Sequence, residues 1–254
     1  MTVKLWRKSW VCFLLLSFST VTSFSQTTSK AGEISCFDID PSGVIYYFNS
    51  KNLIAEKDGK EIARFHTQGK IITSIDVGSG FEILVFYQQQ QAIQLFDNRL
   101  SELTPFTQLQ LPFWINDIKQ GVNNEFWVIS NAQQKLVKLK RNLSVSMQQN
   151  NALFANLTLI SEKQGRLYAY STQDLYLFSN TGALEHEFKQ KGIMTAATSL
   201  QGFVIAVDTE VFAVDIKTKS LQSLMVLPVI PEKLALFQQE VYYLFEGRIL
   251  KKSL

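Results

Sequence analysis

The stretch Val44-Ile45-Tyr46-Tyr47-Phe48 is an apolar, aromatic-rich run typical of a buried β-strand. Runs of the same character recur along the 254-residue chain at 83–86, 126–129, 167–170, 203–207 and 241–244. The spacings are 38, 43, 41, 37 and 37 residues, counted through Ile45, Ile83, Phe126, Leu167, Val204 and Val241. A steady period of this length indicates a structural repeat.

The first repeat predicts four short strands joined by tight turns. Its turn residues are Asp40-Pro41-Ser42-Gly43 and Asp58-Gly59, which supply fixed and positive φ angles. Strand-rich repeats of this length form the blades of β-propellers. We therefore predict an all-β, six-bladed β-propeller over residues 26–254, with blades that start near residues 34, 72, 114, 156, 195 and 233.

The last repeat ends after three predicted strands, because the chain stops at Leu254. A propeller joins its last blade to its first, so that no ladder edge stays exposed. Residues 26–32 are the expected fourth strand of blade six. The alternative is a three-stranded last blade with a disordered amino terminus.

The turn and strand pattern resembles that of the NHL-type and TolB-type six-bladed propellers. The resemblance is carried best by Asp40-Pro41-Ser42-Gly43-Val44-Ile45-Tyr46 and Asp58-Gly59-Lys60-Glu61-Ile62. The repeat period matches over residues 26–254, but blades two, five and six lack the Asp-x-x-Gly turn. It implies the fold and little about activity, since one fold hosts many functions.

The first 25 residues are predicted to be a secretory signal peptide. A positively charged N-terminal region (Lys4, Arg7 and Lys8) precedes the short apolar run 10–18, which is followed by a predicted cleavage site after Ser25. The run is shorter than the ~20 residues that span a bilayer. We expect an exported protein that does not span the membrane and that is periplasmic, outer-membrane-associated or secreted.

Charge and cysteine content exclude some functional classes. The chain has 25 basic and 22 acidic residues, and three of the basic ones lie in the predicted signal peptide, which leaves 22 of each. This balance argues against nucleic-acid binding. Cys36 is the one cysteine after the predicted cleavage site, so no intramolecular disulfide is expected there, and its place on a strand favours a structural role.

The motifs of common enzyme classes are missing from the sequence. His66 and His186 fall on different blades, and no phosphate-binding glycine loop, Gly-x-Ser-x-Gly or His-Glu-x-x-His is present. We predict no cofactor and no catalytic residues.

Three aspartates give an alternative prediction. Asp38, Asp76 and Asp117 fall near the ends of the innermost predicted strands of blades one, two and three. Carboxylates that converge in a channel can bind Ca²⁺, and the six-bladed calcium-dependent lactonases and related hydrolases use such a channel. The favoured interpretation is that these side chains cap strand ends and bond the neighbouring blade.

A partner-binding surface is predicted at Phe113 and Trp114, in the connection between blades two and three. These aromatic residues either anchor an interface or wedge between adjacent blades. The leading hypothesis is a non-catalytic, exported protein-binding or scaffolding subunit of a bacterial cell-envelope complex. The rival hypotheses are a channel-bound calcium-dependent hydrolase and a glycan-binding module.

Overall fold

The computed structural model describes residues 33–78, 81–198 and 202–254. The predicted signal peptide and the predicted closing strand at 26–32 lie outside these residues. Across the described part of the chain, no helix has the length and apolar character needed to cross a membrane.

The described residues form six antiparallel sheets in chain order, five of four strands and the last of three. Blades one to three contain β1 (Cys36–Ile39), β2 (Ile45–Phe48), β3 (Asn52–Lys57) and β4 (Lys60–His66); β5 (Ser74–Asp76), β6 (Glu82–Tyr87), β7 (Ala92–Asp97) and β8 (Thr107–Gln108); and β9 (Asp117–Gln120), β10 (Phe126–Ser130), β11 (Lys135–Leu139) and β12 (Val145–Asn150). Blades four to six contain β13 (Thr158–Lys163), β14 (Arg166–Tyr170), β15 (Asp174–Ser179) and β16 (Leu184–Lys189); β17 (Ile193–Thr198), β18 (Phe203–Val207), β19 (Glu210–Asp215) and β20 (Ser220–Val226); and β21 (Lys233–Phe237), β22 (Glu240–Phe245) and β23 (Arg248–Ser253). Short 3-10 helices lie at Gln88–Gln90, Val122–Asn124 and Ala152–Asn156.

The core consists of apolar layers between consecutive blades. Each layer joins side chains of two adjacent sheets, from the layer between blades one and two to the layer between blades five and six. A further layer joins blade six to blade one, where Tyr242 and Leu244 pack with Phe37 and Ile45. The ring of blades is therefore closed, and the prediction of a six-bladed propeller is confirmed.

Turn chemistry explains the local geometry of blade one. Asp40 Oδ1 accepts hydrogen bonds from the backbone N–H groups of Ser42 (2.8 Å) and Val44 (2.9 Å), which holds the first turn. Gly43 has φ +84°, and a Cβ there would come within 2.8 Å of the Phe237 ring of blade six. Asp58 and Gly59 both have positive φ, as the hairpin turn requires.

The antiparallel order of the strands defines two faces of the ring. One face carries the connections between blades and the turns between the second and third strands; we call it the linker face. The opposite face carries the turns between the first and second strands and between the third and fourth. The first strands, β1, β5, β9, β13, β17 and β21, contact one another in turn and surround the central channel.

Candidate functional site

The central channel encloses a cavity of about 1080 Å³ lined by residues of all six first strands. Asp38, Asp76 and Asp117, which the sequence singled out, all line this cavity. Three lysines, which the sequence did not single out, line it as well: Lys119, Lys163 and Lys233.

Two of the aspartates connect neighbouring blades. Asp38 Oδ2 accepts a hydrogen bond from the backbone N–H of Val77 at 2.9 Å, from blade one to blade two. Asp76 Oδ2 accepts from the N–H of Gln120 at 2.6 Å, from blade two to blade three. The Gln120 side chain makes a second bond between the same two residues, because its Nε2 donates to the Asp76 backbone carbonyl at 2.7 Å. These bonds are those expected of strand-capping aspartates.

The structure corrects the expected alignment of Asp117. Asp38 pairs with Tyr46 and Asp76 with Leu84, each one residue after the repeat anchor of the second strand. In blade three the residue directly after the anchor is Trp127, and it pairs with Lys119. Asp117 pairs instead with Ile129. Asp117 therefore lies two residues nearer the linker face than the equivalent aspartates, and a lysine takes its expected place.

Lys119 is the central cation of the channel. Its side chain is 8% exposed, and its Nζ lies 3.9 Å from Asp117 Oδ1. Burial opposes the charge on Lys119, but the carboxylates of Asp117, Asp76 and Asp38 outweigh that cost and raise the pKa of the ammonium group. Lys119 is thus held in its charged form among the three carboxylates.

Burial is the largest influence on the pKa values of Asp76 and Asp117. It raises the pKa of Asp76 to about 6, with a further increase from Asp38, while Lys119 and the Gln120 N–H oppose it. Burial also raises the pKa of Asp117, and this increase is opposed by Lys119, whose Nζ lies 3.9 Å from Asp117 Oδ1. Asp76 is 4% exposed, so its ionised form depends on the neighbouring lysine and amide.

This donor set fits a calcium ion poorly. A calcium site needs six to eight oxygen ligands that converge on one point. Here an ammonium group already lies among the carboxylates, and two of them direct oxygens at backbone amides of the next blade. Within the described residues, no group of three or more His, Cys, Asp or Glu side chains is placed to share a metal ion.

Cys36 and the histidines lie apart from any catalytic arrangement among the described residues. Burial raises the pKa of the Cys36 thiol to about 11, so the thiol is protonated at neutral pH. Its Sγ donates to the Ile72 carbonyl at 3.8 Å. His66 is exposed at the end of β4, with Nδ1 3.2 Å from Asn52 Oδ1, and His186 lies on the outer strand β16.

The two aromatic residues of the predicted partner surface have different environments. Phe113 is buried in the layer between blades two and three, beneath Lys135, whose Nζ lies 5.0 Å from the ring centroid. Trp114 is 48% exposed on the linker face. The wedge interpretation thus describes Phe113, and the predicted contact with a partner now depends on Trp114.

Trp114 is held in a rigid connection. The Gln91 side chain bonds both backbone groups of the next residue, because its Oε1 accepts from the Ile115 N–H at 2.7 Å and its Nε2 donates to the Ile115 carbonyl at 3.1 Å. Gln88 Nε2 also donates to the Asn116 carbonyl at 3.3 Å. The run Gln88–Gln91, in the turn between β6 and β7, therefore fixes the loop that presents Trp114.

Exposed apolar residues recur at equivalent positions of the linker face. The N–H groups of Thr73, Asn116 and Glu232 make equivalent hydrogen bonds to the second strands of blades two, three and six. Two residues before each lies an exposed apolar side chain: Ile71 (47%), Trp114 (48%) and Ile230 (44%). We call these three residues the apolar rim.

Comparisons with known proteins identify the fold. No family model and no curated protein match the chain. A gluconolactonase from Xanthomonas campestris gives a TM-score of 0.66 at 12% identity, over 89% of this chain and 87% of that chain. A streptogramin B lyase gives 0.64 at 12%, over 91% and 87%, and a virginiamycin B lyase from Staphylococcus aureus gives 0.63 at 11%, over 92% and 98%.

These neighbours are propeller enzymes, and identities of this size show a common fold alone. The chain is a six-bladed β-propeller, so the resemblance to the NHL-type and TolB-type propellers is confirmed at the level of the fold.

Proposed function

We propose that this protein is an exported, non-catalytic β-propeller that binds a protein partner in the bacterial cell envelope through the apolar rim of its linker face. The observation that carries the proposal is the rim itself. Single exposed apolar residues are common on protein surfaces, but here three of them occupy equivalent positions around one face.

The rim has the properties of an interface anchor. Tryptophan is enriched among residues that dominate binding energies. The loop of Trp114 is fixed by Gln91, so little conformational entropy would be lost when a partner binds. Export, supported by the predicted signal peptide, would place this surface in the envelope.

A pull-down from solubilised envelope with the affinity-tagged mature protein tests the proposal. We expect a stoichiometric partner with the wild type and its loss with Trp114→Ala. Phe81→Ala is the matched control, because Phe81 is 78% exposed in a turn of the opposite face. A protein that elutes alone, or a partner retained equally by both variants, would contradict the proposal. Retention of peptidoglycan fragments in place of a protein would instead support the glycan-binding reading.

The rival function is a metal-dependent hydrolase that uses Asp38, Asp76 and Asp117. It is favoured by the convergence of the three side chains on one cavity and disfavoured by Lys119 among them. Elemental analysis of the purified protein distinguishes the two functions. Stoichiometric Ca²⁺ that disappears in Asp76→Ala would support the hydrolase, and metal-free protein after calcium equilibration would exclude it.

A further inference from the structure

The linker face of blades two and three is formed by turns and connections that contain no charged residue. They are the turns 88–91 and 131–134 and the connections 109–116 and 151–157, which we call the amide sector. Of its 23 residues, 11 are Asn or Gln and none is Asp, Glu, Lys, Arg or His, although 19% of the whole chain is charged. The amide sector includes Trp114.

The opposite face of the same two blades is charged. Its turns between the first and second strands and between the third and fourth strands contain Arg99, Glu102, Glu125, Lys140 and Arg141. The lack of charge is therefore a property of one face and not of these blades as a whole.

Side-chain amides join the loops of the amide sector into one ordered surface. The glutamine turn of blade two is bonded to the connection that follows, as described above. Asn116 Oδ1 accepts from the Asn131 N–H at 2.8 Å, and Asn131 Nδ2 donates to the carbonyls of Phe154 (2.8 Å) and Leu157 (2.9 Å). A partner that binds here meets loops that are already fixed, so little ordering is needed.

A second set of amides in the sector has unused hydrogen-bonding groups. These residues are exposed, and their side chains make no hydrogen bond to another described residue: Gln89, Gln110, Gln133, Gln134 and Asn156. Gln90 Oε1 is buried and also lacks a partner among the described residues. Since each amide group both donates and accepts, the surface around Trp114 offers neutral donors and acceptors together.

The charged residues that flank the sector in sequence already have partners within the protein. Lys135 is partly buried, and its Nζ lies 5.0 Å from the centroid of the Phe113 ring. Asp117 lines the channel, where its Oδ1 accepts from the Ile118 N–H.

We infer that the amide sector, with Trp114, is the contact area for the protein partner, and that the matching surface of the partner is uncharged. That surface presents groups that both donate and accept hydrogen bonds, such as backbone peptide groups, amides and hydroxyls. Charged residues are depleted in the cores of interfaces, and a charge buried here would lose its hydration without gaining an ion pair. The inference rests on the proposed function and specifies the kind of partner surface.

Recovery of the partner from solubilised envelope at two salt concentrations is the first test. Between about 0.1 M and about 1 M NaCl the Debye length falls from about 10 Å to about 3 Å, which weakens ion pairs and leaves neutral contacts in place. We expect the amount of partner recovered with the tagged mature protein to change by less than about twofold. A partner that is recovered at low salt and lost at high salt would overturn the inference and leave the proposed function standing. Absence of a partner at both concentrations would contradict the proposed function, and the inference with it.

Charge insertion of either sign is the second test. Gln133→Glu and Gln133→Lys change an exposed turn residue whose side chain makes no hydrogen bond to a described residue. Each is expected to reduce recovery of the partner by at least about fivefold, because either charge would be buried unpaired. Gln239→Glu and Gln239→Lys are the matched controls, since Gln239 is exposed in a turn of the opposite face.

Three further results would overturn the inference. One is wild-type recovery with both Gln133 variants, and another is stronger binding with one of them, which would indicate a charged partner surface. The third is a different occupant: a second copy of this chain as the captured protein, or retention of protein-free polysaccharide from protease-treated envelope.

Discussion

Asp76 is a buried carboxyl group whose surroundings make its ionisation unfavourable. It faces Asp38 of β1, and Asp117 and Lys119 of β9, so two like charges and one opposite charge act on it. Burial raises its pKa to about 6 in the folded protein, from the ordinary value of 3.8. This group therefore couples the stability of the propeller to pH.

Replacing Asp76 by asparagine should remove this pH dependence. Because the folded-state pKa is raised, the contribution of Asp76 to stability is fully present below about pH 4 and is lost as the pH rises through about 6. The difference corresponds to roughly 3 kcal/mol. We expect the free energy of unfolding of the wild type, relative to Asp76→Asn, to fall by that order between pH 4 and pH 7 in urea titrations.

Asparagine retains an oxygen that can accept from the Gln120 N–H, so the contact between the blades is kept. Asp58→Asn is the control, since Asp58 is exposed in a hairpin turn. Parallel pH profiles of wild type and Asp76→Asn would show that the carboxyl group is not destabilised by burial.

The register of the first strands was the feature of the channel that the sequence predicted least well. Asp38 and Asp76 were identified as strand-capping residues, and their bonds to the next blade are observed. The repeat pattern alone does not fix strand register, since a two-residue shift keeps a side chain on the same face. Lys119 was missed for this reason, although the alternation Asp117-x-Lys119 on one strand was a usable signal.

At the scale of elements, the entry into blade one supports the predicted closure of blade six. In blades one to five, the residue directly after the fourth strand donates its N–H to the turn between the second and third strands; the donors are Thr67, Leu109, Asn151, Gln190 and Leu227. Ile34 makes the same bond to the Gly247 carbonyl of blade six, at 3.1 Å. Ile34 therefore occupies, relative to blade six, the position that directly follows the fourth strand in the other five blades.

Deletion of residues 26–32 from the mature protein should destabilise the fold. Three or four ladder hydrogen bonds at about 1 kcal/mol each predict a loss of roughly 3 to 4 kcal/mol in the free energy of unfolding. Denaturant unfolding measures the loss, and a flexible Gly/Ser replacement of equal length is the control that keeps the chain length. An unchanged midpoint in both variants would refute closure by this segment.

At the scale of the whole molecule, the fold could be predicted from periodicity because each blade buries its faces only against its neighbours. Side chains of the aromatic second strands form the layers between blades, so the number of residues from one second strand to the next equals the length of one blade repeat. The linker face was harder to predict. Whether Phe113 or Trp114 points outward depends on the path of the connection between blades two and three. The Gln91 side chain, from the turn between β6 and β7, fixes this path by its two hydrogen bonds to Ile115.

The most direct test of envelope binding through the linker face is site-specific photo-crosslinking in the native cell. A photoreactive amino acid in place of Trp114 is predicted to give one discrete protein adduct. The same residue in place of Phe81, on the opposite face, is predicted to give none. Adducts of equal yield from both positions, or no adduct from position 114, would contradict binding through the apolar rim.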